Sequence, residues 1–305
     1  MTKKRKAAKR ATKRAGSRRS TSPRPKAVAA RRSAKALMAA VTDDTKPYAH
    51  RATALQEDPV ALYQDEENLD AVLNVLRDTA QPIQLRLDAL QSLQAASFSV
   101  LAFGPARTNY LATLRSVAAD PDPEMRQRVL GILARERDGF AQKKLLEGLR
   151  DPSKALVPPE KALQLLSYDV HAEVYPVARE IVNKPPNTAA KREALRLLAA
   201  DTGAAPLLEK VLLDKSETPE IRQVSAAALH AIKPDKLQEL ARDLVLDDTE
   251  PDEIQATSLT ALTQFGDQAK VAGDAALRKR VGKLKGKASK SVKQSATQFM
   301  AKYGK

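Results

Sequence analysis

The sequence predicts an all-α fold, a solenoid of about seven stacked helix pairs behind a disordered basic tail. Three observations predict it. One pattern returns along the chain: a polar anchor, a small or apolar pair three and four residues on, and an apolar residue at seven. The anchors are Arg86, Arg126, Pro159, Lys191, Arg222, Gln255 and Lys293, spaced 40, 33, 32, 31, 33 and 38 residues apart. Self-similarity at such a period signals a stacked-repeat protein. Next, helix formers dominate, aromatics make up only 4% of 305 residues, and no run alternates β-branched with polar residues. Finally, proline recurs at one phase, as Pro82, Pro123, Pro159, Pro186, Pro219 and Pro251. It is tolerated at or just before the first helical position, where the missing amide would be unsatisfied anyway.

Taken in order, residues 1–26 are dense in like charge and poor in apolar side chains, so burial cannot offset ordering entropy. Residues 27–41 complete the tail, with Val28, Leu37, Met38 and Val41 as anchors for a short docked helix. Residues 42–67 read as a linker and an N-terminal capping helix, and 68–305 as the solenoid, closed by a basic C-terminal cap at 278–305. First helices are predicted near 68–79, 109–119, 140–149, 171–182, 204–213, 235–246 and 267–280. Second helices are predicted near 82–96, 122–136, 159–167, 188–200, 219–232, 252–264 and 289–302. One helix pair cannot bury its own apolar face; stacked neighbours bury it for each other. The anchor arginines are expected to bond loop carbonyls or acids of an adjacent repeat. Two spacings are long, and the excess lies in Ser97–Thr108, with Phe98 and Phe103, and in the Lys-rich Arg278–Lys290. The first excess reads as a segment capping an exposed end, with a ligand loop as the alternative.

Charge is unevenly distributed. Residues 1–41 hold 15 Lys and Arg and no acid; residues 42–267 sum to −10; residues 268–305 hold 11 basic residues and one acid. Basic ends flanking an acidic middle point to a polyanion-seeking tail. Lys3, Lys4, Arg5, Lys6, Lys9, Arg10, Lys13, Arg14, Arg18 and Arg19 recur every few residues, and Lys283, Lys285 and Lys287 extend the pattern at the other end. Cations on a flexible backbone neutralise phosphates without reading bases, so non-specific nucleic-acid binding is expected. The other readings of the tail are a nuclear-import signal at Lys3–Lys6, a solvated arm, self-docking on the acidic solenoid, and an organelle presequence. Carboxylates gather where second helices start; Asp248, Glu250, Asp252 and Glu253 are the expected edge for a protein partner, set against a plain capping role.

The unit Asp120-Pro-Asp-Pro-Glu-Met-Arg126-Gln-Arg-Val-Leu-Gly-Ile-Leu133 resembles a HEAT repeat, and Ser216–Ile232 repeats the form with Pro219 and Arg222. The short period is similar to HEAT-like repeats of the phycobilin-lyase type. The resemblance covers about residues 68–302. It implies a right-handed, armadillo-like α-solenoid whose second helices line the concave face, and a protein- or nucleic-acid-binding role.

Chemistry of the chain's own is not expected. Cysteine is absent, which excludes disulfides, thiolate metal sites and cysteine nucleophiles. The iron-dependent hydroxylase built from such repeats uses His-Glu pairs, and none of His50, His171 and His230 precedes Glu. No phosphate-cradling Gly-rich motif occurs, and Tyr168 and Tyr175 read as core. The expectation is therefore a non-enzymatic, intracellular scaffold without cofactor or metal, protein-binding through the solenoid and tethered to nucleic acid by its tail. It would act in cytoplasm or nucleoid if bacterial and in the nucleus if eukaryotic. The alternatives are a lyase or chaperone-type protein with an unseen groove activity, and a pure interaction scaffold whose tail is an address.

Overall fold

A computed structural model describes residues 33–286 and 289–304, and among these the chain is all-helical, without strands. The helices come in pairs: α1 (Ala34–Thr42) with α2 (Tyr48–Glu57), and α3 (Glu66–Arg77) with α4 (Ile83–Ser97). After a short α5 (Val100–Phe103) follow α6 (Arg107–Ser116) with α7 (Pro123–Arg135), and α8 (Gly139–Arg150) with α9 (Pro159–Leu166). Next come α10 (Val174–Asn183) with α11 (Thr188–Leu197), and α12 (Ala205–Leu213) with α13 (Pro219–Ile232). The chain closes with α14 (Pro234–Leu246) and α15 (Asp252–Phe265), a short α16 (Gln268–Gly273), and α17 (Ala275–Leu284) with α18 (Lys290–Tyr303). Second helices lie against second helices, α7 on α9, α9 on α11, α11 on α13, α13 on α15 and α15 on α18.

Local chemistry starts these helices where the sequence places polar oxygens. Asp65, Asp122, Asn187, Thr218 and Ser289 each accept a backbone amide in the first turn of the helix they precede. Pro123 and Pro219 occupy first helical positions, and Glu124 and Glu220 follow them at the positive end of the dipole. The apolar positions of the pattern then form the core. Ala89, Leu93, Val129, Leu130, Leu133, Ala194, Leu195, Leu229 and Leu259 are all fully buried.

The anchors latch one pair to the next. Arg86 Nε donates to the Leu76 carbonyl at 3.0 Å, and its guanidinium grips Asp120, in the turn of the following pair. Arg222 Nε donates to the Leu212 carbonyl at 2.7 Å and pairs with Glu250 at 2.7 Å. Lys191 pairs with Glu217, and Arg126 donates to the Leu156 carbonyl at 2.9 Å. Gln255 keeps the inward bonds, donating to the Asp247 and Glu250 carbonyls at 3.1 Å. The bonds of Arg86, Arg126, Arg222 and Gln255 satisfy carbonyls left over at a helix end or turn, whereas Lys191 meets a carboxylate.

Three expectations change. The tail does not run to residue 41: α1 begins at Ala34, and Leu37, Met38 and Val41 are buried. With α2 it forms a further pair, whose Arg51 makes the same latch, Nε to the Val41 carbonyl at 2.7 Å and a guanidinium nitrogen to Gln81 at 2.8 Å. Pro159 is not an anchor but the first residue of α9, which therefore lacks the turn that precedes the anchor elsewhere. A cavity of about 460 Å³ lined by Leu149, Leu156, Ala162 and Ile181 lies there. In α18 the buried set is Val292, Ser295, Ala296, Phe299 and Tyr303, the first four one residue earlier than the pattern, so Lys293 faces solvent.

The segment 97–108 does not cap an end. It sits between the second and third pairs, where Phe103 is buried edge-on to Tyr63 and Tyr110, at centroid distances of 5.2 and 5.5 Å. Burial pushes the Tyr110 phenol well above its usual range, with the Glu136 charge adding to it. Phe98, Val100 and Leu101 remain 78%, 70% and 95% exposed.

Candidate binding surfaces

A cleft of about 500 Å³ opens between α13 and α15. Its walls owe their separation to small side chains, Ala226, Ala227, Ala256 and Ala261, and its floor reaches Leu212, Leu237 and Leu244. At one end His230 stacks on Phe265, with ring centroids 4.2 Å apart, and Phe265 is half-exposed. At the other end stands Glu253, exposed in the first turn of α15. An apolar slot of this volume with a few polar groups at its rim has the size and lining of a binding pocket.

The expected acidic edge is only partly brought to this cleft. Glu253 lines it. Glu250 does not: it is 5% exposed and consumed by Arg222, so it is withdrawn as a partner-binding residue. The physical reason is general to the turns, where Asp120, Glu217 and Glu250 face inward to latch cations rather than outward as a ridge. Asp248 remains at the surface but is paired with Arg280, which also donates to the Val245 carbonyl at 3.1 Å. Asp252 is half-buried at the start of α15. Beside them, Lys215 holds the Asp247 carboxyl far below the usual range, helped by the Thr249 hydroxyl and amide.

The last pair carries the second surface. Lys283 and Lys285 are exposed at the end of α17, as are Lys279, Lys290 and Lys293 around them. None of these five forms an ion pair with a described residue. Sequence reasoning had counted Lys293 as an anchor; its exposure was signalled by the polar Thr297 at a position the pattern wants apolar. Lys3, Lys4, Arg5, Lys6, Lys9, Arg10, Lys13, Arg14, Arg18, Arg19 and Lys287 lie outside the described residues.

The three histidines stay apart. His50 is exposed, His171 Nε2 lies 3.2 Å from Asp169, and His230 belongs to the cleft. Among the described residues no three His, Asp or Glu side chains gather as a metal site. Tyr168, expected in the core, is 48% exposed. Tyr175 is partly buried and donates to the Ala200 carbonyl at 3.2 Å.

No family model matches the chain, and no curated relative does. Among solved structures the chain is similar to human deoxyhypusine hydroxylase in complex with glycerol, at 15% identity and a TM-score of 0.35, over 81% of this chain and 99% of that one. That protein is an enzyme, so the expectation of a chain without enzymatic activity is withdrawn. A likeness this distant assigns no activity in its place. Among the described residues no helix is long and apolar enough to cross a membrane.

Proposed function

We propose that the chain is an intracellular binding scaffold, a right-handed HEAT-like solenoid that holds a protein partner on its second-helix face and nucleic acid at its basic ends. The observation that carries this reading is the set of exposed, unpaired lysines on α17 and α18, in a segment with 11 basic residues against one acid. It stands at the opposite end of the helix order from the basic residues 1–32 and follows a middle that sums to −10. Such cations gain by releasing counterions from a phosphate backbone and carry no base code. The HEAT-like reading is supported by the Arg-to-turn latches of Arg51, Arg86 and Arg222 and by the contacts of second helix on second helix.

The protein partner fits the α13–α15 cleft as an amphipathic helix, its bulky apolar side chain in the slot and a basic residue against Glu253. Linking the two kinds of site raises the partner's effective concentration on a nucleic-acid scaffold without sequence recognition. The test is duplex DNA binding by the full chain and by its Lys283→Glu/Lys285→Glu/Lys290→Glu variant. The variant is expected to bind at least tenfold more weakly at low salt with unchanged helix content. Equal affinity refutes the role of this end.

A further inference from the structure

A smaller cleft, of about 260 Å³, crosses the inner sides of α4, α7 and α9. Its lining departs from the body around it. Residues 42–267 carry 36 acids and 26 bases, yet the cleft has no carboxylate among its lining residues. It has three cations, Arg128, Arg135 and Lys161, and three amides, Gln94, Gln127 and Gln164. Arg128 is tied at 2.7 Å to Glu124, one turn back on its own helix, and Lys161 donates to Gln164 at 3.0 Å. Arg135 has no ion-pair partner among the described residues. Tyr168 closes one side with a half-exposed ring.

The floor adds an independent observation. Gly131 lies in the interior of α7, where glycine is less favourable than alanine. Packing does not demand it: a Cβ there would meet nothing nearer than 3.9 Å, from Arg135 Nη1 and Leu165. The space that a side chain would fill belongs to the cleft. Glycine is the residue that lets a ligand approach the backbone closely.

We propose that this cleft binds single-stranded nucleic acid. This deepens the reading above, on which it rests, by giving the scaffold a second, base-contacting site apart from its basic ends. One base stacks on the Tyr168 ring, the neighbouring phosphates face Arg135, Arg128 and Lys161, and the glutamine amides meet base edges over the Gly131 floor. A lone cation-lined groove would suit any anion; the exposed aromatic and the row of amides select a nucleobase polymer.

The test photocrosslinks the full chain to a bromouracil-substituted single strand and maps the adduct by mass spectrometry, alongside anisotropy titrations with the same strand and with duplex DNA. An adduct on Tyr168 is expected. Tyr168→Ala should weaken single-strand binding by roughly 5- to 150-fold, the range for losing one stacked base, with little effect on duplex. Tyr168→Phe should retain it. Gly131→Ala should raise thermal stability yet weaken single-strand binding. Adducts confined to the terminal basic segments, or equal single-strand affinity for Tyr168→Ala and the parent chain, would overturn the proposal. Those outcomes leave the end-lysine reading standing, because that reading fails only if the Lys283/Lys285/Lys290 variant keeps full duplex affinity.

Discussion

Replacing Arg86 with leucine tests the latch that joins the second pair to the third. The side chains of Arg86 and Asp120 are 3% and 2% exposed, so neither charge has water to fall back on. Arg86→Leu removes the 3.0 Å bond to the Leu76 carbonyl and the guanidinium bonds to Asp120, and leaves a buried carboxylate with the Asp122 amide at 3.0 Å as its hydrogen bond and the Arg126 charge nearby. Breaking one side of a buried pair costs about 3–5 kcal/mol, roughly a 150- to 5,000-fold shift in the local opening equilibrium. Asp120→Asn keeps the amide acceptor and strands the guanidinium instead. The double variant removes both charges, so its cost should fall short of the sum by at least about 1.5 kcal/mol. Stacked pairs open piecewise, so amide hydrogen exchange resolved along α3, α4, α6 and α7 is the suitable assay, with α15 as an internal reference. A loss under about 1 kcal/mol for Arg86→Leu, or simple additivity in the double variant, would refute the assignment of this pair as a latch.

Further outcomes follow from other sites. Arg137 has a φ of 56°, the sole positive value among non-glycine described residues, at the end of α7. Arg137→Gly should stabilise by about 0.5–1 kcal/mol, as relief of left-handed strain exceeds the entropy cost of glycine; a lower melting temperature would contradict this. Burial alone would raise the Asp120 carboxyl, but bonds from Arg86 and the Asp122 amide hold it below the ordinary range. A depressed folded-state value means stability that is complete above the unfolded value near pH 4 and lost as pH falls through the folded one. Urea titrations between pH 5 and pH 2 should show that loss, and Asp120→Asn should flatten it. Leu133→Ala, at a fully buried pattern position, should cost about 2–5 kcal/mol, read by chemical denaturation. Phe98→Ser with Leu101→Ser should leave the melting temperature within a degree or two while lowering binding of a hydrophobic dye, since both side chains stand in solvent.

The helix pairs from α3 onward were legible because their signal is redundant: anchor, Ala-Leu pair and turn proline recur together. The pair α1–α2 was legible only in part: Leu37, Met38 and Val41 read as anchors of a docked helix, but its pairing and latch did not, although Arg51 and Ala54-Leu55 repeat the pattern. Asp58 stands where the apolar residue belongs, and α1 is entered from a basic run that reads as tail. The late start of α9 was hidden because Pro159 satisfies the spacing of an anchor while lacking its side chain. The surfaces were harder to read than the fold. Glu250 and Glu253 look alike as acids at a helix start, yet one is latched inward and the other exposed, a distinction set by which turn carbonyls and cations meet in space. The Gln94–Gly131–Tyr168 cleft joins residues from three pairs, and nothing local in the sequence links them.

Whether the basic residues seek phosphate is decided by the salt dependence of duplex DNA binding, measured on the full chain and on a chain lacking residues 1–32. If about 6–10 basic side chains engage phosphates, affinity of the full chain should fall by about 10³–10⁵ between 50 and 200 mM salt, with a shallower slope once the arm is removed. An affinity that barely changes with salt, or identical slopes for the two chains, would contradict the account.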